Sequence, residues 1–166
     1  NPTKYFYPRF RASDWRGAED ISQLFQVGAT KFTVQTISVG ASLDPNKRTS
    51  IQGATQERPR HLGITLTGVG SPPGGREILW YVKDVKTGRY LFNGVYATVP
   101  PGTGADGKWT VNLPFWLFVN AAGNIEGQHK SVGREADIVV EIYTYELMGF
   151  LRRPLGKSQT YYVTAQ

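Results

Sequence analysis

Cysteine is missing from all 166 residues, and methionine occurs once. Neither a disulfide framework nor a thiolate metal centre holds this chain together, so packing has to do it. No apolar run approaches the roughly 18 residues that a bilayer-spanning helix needs. The opening NPTKYFYPRF lacks the apolar stretch of a signal peptide, and the proline of Asn1-Pro2-Thr3 blocks the one near match to a glycosylation acceptor. The two histidines, His61 and His129, lie far apart without the close His or carboxylate spacing of a metal site, which makes them surface or turn residues. A G-x-S-x-G elbow, a phosphate-cradling glycine loop and kinase-type motifs are absent too. The expectation is a protein that is not an enzyme and takes no metal or cofactor.

Charge of one sign is in excess, with a formal net charge of +6, but it is not gathered. Basic residues run from Lys4 to Lys157, and within the first twenty positions Lys4, Arg9, Arg11 and Arg16 alternate with Asp14, Glu19 and Asp20. A nucleic-acid arm concentrates lysine and arginine on one stretch or face, so no specific nucleic-acid partner is expected. The densest cluster is Arg152-Arg153 with Lys157, which reads as a solvated linker or as an anchor on an acidic neighbour.

What the chain does have is glycine, proline, threonine and tyrosine, the composition of short strands joined by turns. One short helix is plausible near the N-terminus, where Ser13 caps a segment with Ile21, Leu24 and Phe25 at helical spacing. From KFTVQTISV onward the period is two. HLGITLTGV sets Leu62, Ile64 and Leu66 on one face. A strand near Ile78 to Lys83 reaches a turn at Lys86-Thr87-Gly88. Asn93-Gly94 then suits a two-residue hairpin turn that folds Val95 to Val99 back beside Arg89 to Phe92. Pro100-Pro101-Gly102 ends that meander.

GKWTVNLPFWLFV is apolar on one face from Trp109 to Val119, and its other face turns apolar at Trp116 and Phe118. Such a strand is covered twice, by a loop or helix of its own chain or by a partner subunit. In ADIVVEIYTYEL the residues Ile138, Val140 and Ile142 point inward. Glu135, Asp137 and Glu141 suggest a glycosidase pair, yet Asp137 and Glu141 stand roughly 13 Å apart along a strand, and they read as solvent-facing. The tail TYELMGFLRRPLGKSQTYYVTAQ resumes strand character at Thr160 to Thr164 after Gly149, Pro154 and Gly156, which read as a hinge.

The pattern is all-β: a single jelly-roll barrel or sandwich of about eight antiparallel strands in residues 1–149, followed by a C-terminal arm, 150–166, ending in a strand. In size, in its cysteine-free, heat-tolerant composition, in the strand pattern from Lys31 to Leu147 and in the arm GFLRRPLGKSQTYYVTAQ, the chain resembles the small single-jelly-roll major capsid proteins of tailless, membrane-containing icosahedral phages of thermophilic bacteria. The resemblance implies a capsid building block in a virion that self-associates and contacts other capsid proteins near an internal viral membrane. An unpaired strand needs a sheet edge, and the tail either folds back or exchanges between two copies as a homodimer. Interface residues expected on these grounds are Trp116, Phe118, Arg152, Arg153, Tyr161, Tyr162 and Val163. The runner-up is a non-catalytic carbohydrate-binding β-sandwich, with Trp80 and Tyr81, or Trp116 and Tyr143, as stacking platforms.

Overall fold

A computed structural model describes residues 30–145 and 152–166. The expected helix between Ser13 and Phe25 lies outside them, as does Gly149. The described residues form strands and turns, without a helix. They comprise β1 (Thr33–Val39), β2 (Arg48–Ser50), β3 (Arg60–His61), β4 (Ile64–Val69), β5 (Arg76–Asp84), β6 (Tyr90–Val99), β7 (Trp109–Leu113), β8 (Trp116–Val119), β9 (Ile125–Glu126), β10 (Glu135–Tyr145), β11 (Arg152–Lys157) and β12 (Tyr161–Thr164). The number exceeds the eight expected mainly because single sequence runs are divided. The run HLGITLTGV belongs to β3 and β4, separated by Leu62-Gly63, and the run from Trp109 to Val119 breaks at Pro114-Phe115. The two breaks face each other, since the N–H groups of Leu62 and Gly63 both donate to the Phe115 carbonyl, at 2.8 and 2.9 Å.

Sheet I has the order β1-β4-β7, and the small ladder β3-β8-β9 prolongs it beyond the paired breaks. Sheet II has the order β2-β12-β10-β5-β6. The sheets share one core. Ile64, Leu66, Leu113 and Val39 come from the first, and Ile78, Trp80, Val82, Ile138, Val140, Ile142 and Val163 from the second. Alternation of faces is the reason: Ile138, Val140 and Ile142 are wholly inaccessible, while Val139 and Glu141 between them belong to the other face, where Val139 is itself nearly covered. Trp80 lies in this core stacked on Phe92, with ring centroids 5.1 Å apart, and so is no sugar platform.

The fold is therefore an antiparallel sandwich, and its ladder order is specific. β1-β4-β7 opposite β12-β10-β5-β6, with β2 running parallel to β12, is the order A-B-E and G-F-C-C′ of immunoglobulin-type Greek-key sandwiches. It departs from a jelly roll at one strand: there the last strand lies between the first and third in the opposite sheet, whereas β12 lies between β2 and β10.

Two local expectations are corrected. Asn93-Gly94 does not turn the chain, since β6 runs unbroken from Tyr90 to Val99. Gly94 has φ +65° and sits at a break in the β5–β6 register opposite Tyr81. A left-handed glycine serves a bulge as readily as a hairpin, and the real turn is the one at Lys86 to Gly88. Pro154 and Gly156 are not a hinge either. They lie within β11, paired with Tyr143 and Ile142 of β10, and Leu155 between them is the extra residue of a bulge. Among the described residues β11 is flanked in its ladder by β10 alone, where a proline is tolerated because its missing N–H need face no second strand.

Candidate interaction face

The outward face of sheet II gathers tyrosines and one arginine. Directly paired residues point to the same side of a sheet, so the registers place Tyr96, Leu79, Tyr143 and Pro154 in one row across β6, β5, β10 and β11. Beside that row stands Tyr81, whose ring meets those of Tyr90 and Tyr143 edge-on at 5.5 and 5.3 Å. The Arg152 guanidinium lies 5.3 Å from the Tyr81 ring centre and 5.4 Å from that of Tyr143, and it donates to the Tyr81 hydroxyl. Tyr81 is nearly covered, at 7 % exposed, whereas Tyr96 is 56 % exposed. The patch thus has a buried aromatic floor and an open rim.

Glu141 pairs with Tyr81 across the β10–β5 ladder. One of its carboxylate oxygens is buried without a hydrogen-bond partner among the described residues. Burial first, and then the Glu141 charge and its hydrogen bond with the phenol, push the Tyr90 hydroxyl above the usual phenol range. Tyr143 is raised by burial and by Glu141 and Tyr90, against the opposing effect of Lys83. The expectation that Glu135, Asp137 and Glu141 simply face solvent holds for Glu135, which is exposed. Asp137 is half-buried, with Oδ1 3.9 Å from both Arg48 Nη2 and Lys86 Nζ, and Glu141 belongs to the tyrosine patch.

The expected interface residues separate into three places. Arg152 is in the patch just described, and Arg153 precedes Pro154 on the same strand, partly buried. Tyr161 and Val163 are core residues of the chain itself, at 7 % and 0 % exposed, because β12 pairs antiparallel with Glu135–Ile138 of β10 and parallel with β2. Tyr162, on the other side of β12, lies under the Arg48 guanidinium at 5.6 Å. Trp116 and Phe118 are on β8, and loops of the same chain cover that face: Val119 N–H donates to the Ala54 carbonyl, and Gln56, Pro59, Gly127 and Gln128 line a groove together with both rings. Phe118 is 4 % exposed and Trp116 half-buried. Tyr143 is on the other sheet and forms no platform with Trp116. Both His61 and His129 are exposed, as their positions in the sequence suggest.

The tyrosine patch was partly legible, since Glu141 and Tyr143 alternate with the inward residues of β10. What hid it is that its members come from four strands, brought together only by register. No protein-family model matches the chain, and a comparison with curated proteins found no match.

Proposed function

We propose that the chain is a structural protein that self-associates into a shell, as a capsid building block of a jelly-roll-related type that works by assembly and not by catalysis. One observation carries the reading: the Tyr96–Leu79–Tyr143–Pro154 row with Arg152 stacked over Tyr81 and Tyr143. Tyrosine and arginine are the residues enriched in protein interfaces, and a buried aromatic floor with a polar rim is the anatomy of an interaction hot spot. β6 ends the sheet order among the described residues, so a second copy meeting this face also finds a strand edge, apart from Leu91, whose carbonyl already accepts the His129 N–H at 2.8 Å.

The proposal includes the setting that the sequence resemblance implies, a virion shell with other capsid proteins and an internal membrane as neighbours. Its distance from a jelly roll is the sheet position of one strand. Exchange of β12 between copies belongs to the same proposal, because the slot between β10 and β2 accepts the identical strand from a neighbour with identical ladders.

The test is light scattering after size-exclusion chromatography over a wide concentration range, on the native chain and on Tyr96→Lys and Arg152→Ser. Concentration-dependent association that both changes weaken supports the reading; a native chain that stays monomeric throughout removes it. Exchange is read separately. In a chain without cysteine, Ser50→Cys with Thr164→Cys places two thiols at partnered positions of β2 and β12. Oxidation that yields only intramolecular links assigns β12 to its own chain, and covalent dimers assign it to a neighbour.

A further inference from the structure

The covering of β8 is incomplete, and the gap has a definite chemistry. Between β8, the loop that follows β2 and the turn after β9 lies a groove of about 330 Å³ lined by Trp116, Phe118, Pro59, Gln56, Glu126 and Gln128. Its floor is aromatic. The Trp116 and Phe118 rings lie at 22° to each other with centroids 6.2 Å apart, and Phe92 abuts the indole edge-on at 5.2 Å and holds its plane. Its rim is polar: Gln56 and Gln128 are exposed amides, each with both a donor and an acceptor. Glu126 is oriented by the Asn120 amide, which donates to its Oε1 at 3.0 Å and leaves Oε2 to accept.

We infer that this groove binds a neutral pyranose ring. A pyranose presents an apolar C–H face suited to an aromatic floor and an equatorial belt of hydroxyls that both donate and accept. Two amides and one carboxylate match that belt. The groove falls at the small end of the range for ligand pockets, the size of one or two sugar rings. No lysine or arginine lines it among the described residues, and the single charge is negative, so phosphates, sulfates and acidic sugars are disfavoured. Pre-set rings cost little ordering on binding, so the site is formed before its ligand arrives. It is built from different residues than the tyrosine patch, and each reading stands or falls without the other.

Saturation-transfer NMR with the native chain tests it, using the methyl pyranosides of glucose, galactose, mannose and N-acetylglucosamine as probes and cyclohexanol as a ring without the hydroxyl belt. Transfer to the ring C–H protons of at least one pyranoside is expected, with quenching of tryptophan fluorescence. Gln56→Ala and Gln128→Ala, both exposed, keep the native melting temperature and weaken binding about five-fold each, the worth of one hydrogen bond. Trp116→Leu abolishes the fluorescence response. The inference is overturned if no pyranoside receives saturation, if cyclohexanol binds as well as the sugars, or if both glutamine variants bind unchanged.

Discussion

The backbone N–H of Asp137 donates to the Asp84 carboxylate at 2.9 Å, at a point in sheet II where Asp84 is wholly inaccessible to solvent. The other carboxylate oxygen accepts from the Thr87 hydroxyl at 2.6 Å and from the Thr87 N–H at 3.2 Å. One side chain thus closes the β5–β6 turn and fastens it to β10, where Val85 N–H returns a bond to the Asp137 carbonyl at 2.7 Å. A buried carboxylate is tolerated when donors surround it, and here three do.

Asp84→Ala leaves the Asp137 N–H buried without its acceptor and frees the turn. A loss of about 3 kcal/mol in unfolding free energy is expected, against about 1 kcal/mol for Thr87→Ala, which removes one exposed partner. Urea denaturation of both variants measures the difference. Equal losses would mean that the turn, and not its tie to β10, is what Asp84 serves.

Gly68 of β4 pairs with Val34 of β1 on one side and with Trp109 of β7 on the other. A Cβ there would stand 2.0 Å from the Thr33 carbonyl oxygen and 2.4 Å from the Trp109 ring. Trp109 cannot withdraw freely, because its indole N–H donates to the Val69 carbonyl at 3.0 Å and its ring stacks on Phe32. Gly68→Ala should cost about 3 kcal/mol by overpacking. Gly74→Ala, where nothing lies within 4 Å, should fall within about 0.5 kcal/mol of the native chain. Thermal melts of the pair check both values.

Deletion of residues 159–166 should abolish cooperative unfolding. The lost strand is not an appendage: it is hydrogen-bonded on both sides, and its removal strips Tyr161, Val163 and Ala165 from the core. From the sequence alone, deletion of Lys157 to Gln166 is expected to do the opposite and leave a folded barrel that has lost most of its self-association. Near-ultraviolet circular dichroism decides, since a retained aromatic signal would show that sheet II closes without β12.

Alkaline stability carries a sign. The Tyr90 and Tyr143 hydroxyls have pKa values raised above the ordinary 10.0, so the unfolded chain loses these protons at lower pH than the folded one. Their contribution is fully present below pH 10.0 and is lost as pH rises through the higher folded values. Tyr90→Phe with Tyr143→Phe should make the fall in stability above pH 10.0 shallower. Denaturant midpoints from neutral pH to pH 11 measure it, and an unchanged slope would exclude these two phenols as its source.

Much of the fold is visible in residue alternation. Ile138, Val140 and Ile142 announce their burial because a strand has period two, and the stop after Val99 follows from proline chemistry. What alternation cannot convey is which strand lies beside which. Asn93-Gly94 carries the same backbone signal for a hairpin as for a bulge, and only the ladder from Arg76 to Lys83 selects the bulge. The tail shows the same limit: Pro154 and Gly156 look like breakers until Leu155 is seen to take up the extra residue. Trp116 and Phe118 were identifiable as doubly apolar positions, but Gln56 and Gln128 had no signal, since exposed glutamines in loops are commonplace.

The parallel contact of β2 with β12 joins distant parts of the chain. The Arg48 side chain donates to the Val163 carbonyl across 115 positions of chain, so this pairing closes one of the longest loops available. Loop-closure entropy is spent before such contacts return anything, and domains dominated by them fold in roughly milliseconds to seconds instead of microseconds. Until the loop closes, the edge of β12 along Tyr162–Thr164 lacks its neighbour. Refolding yield should therefore fall as protein concentration rises, because intermolecular capture of that edge is second order in concentration and closure is first order.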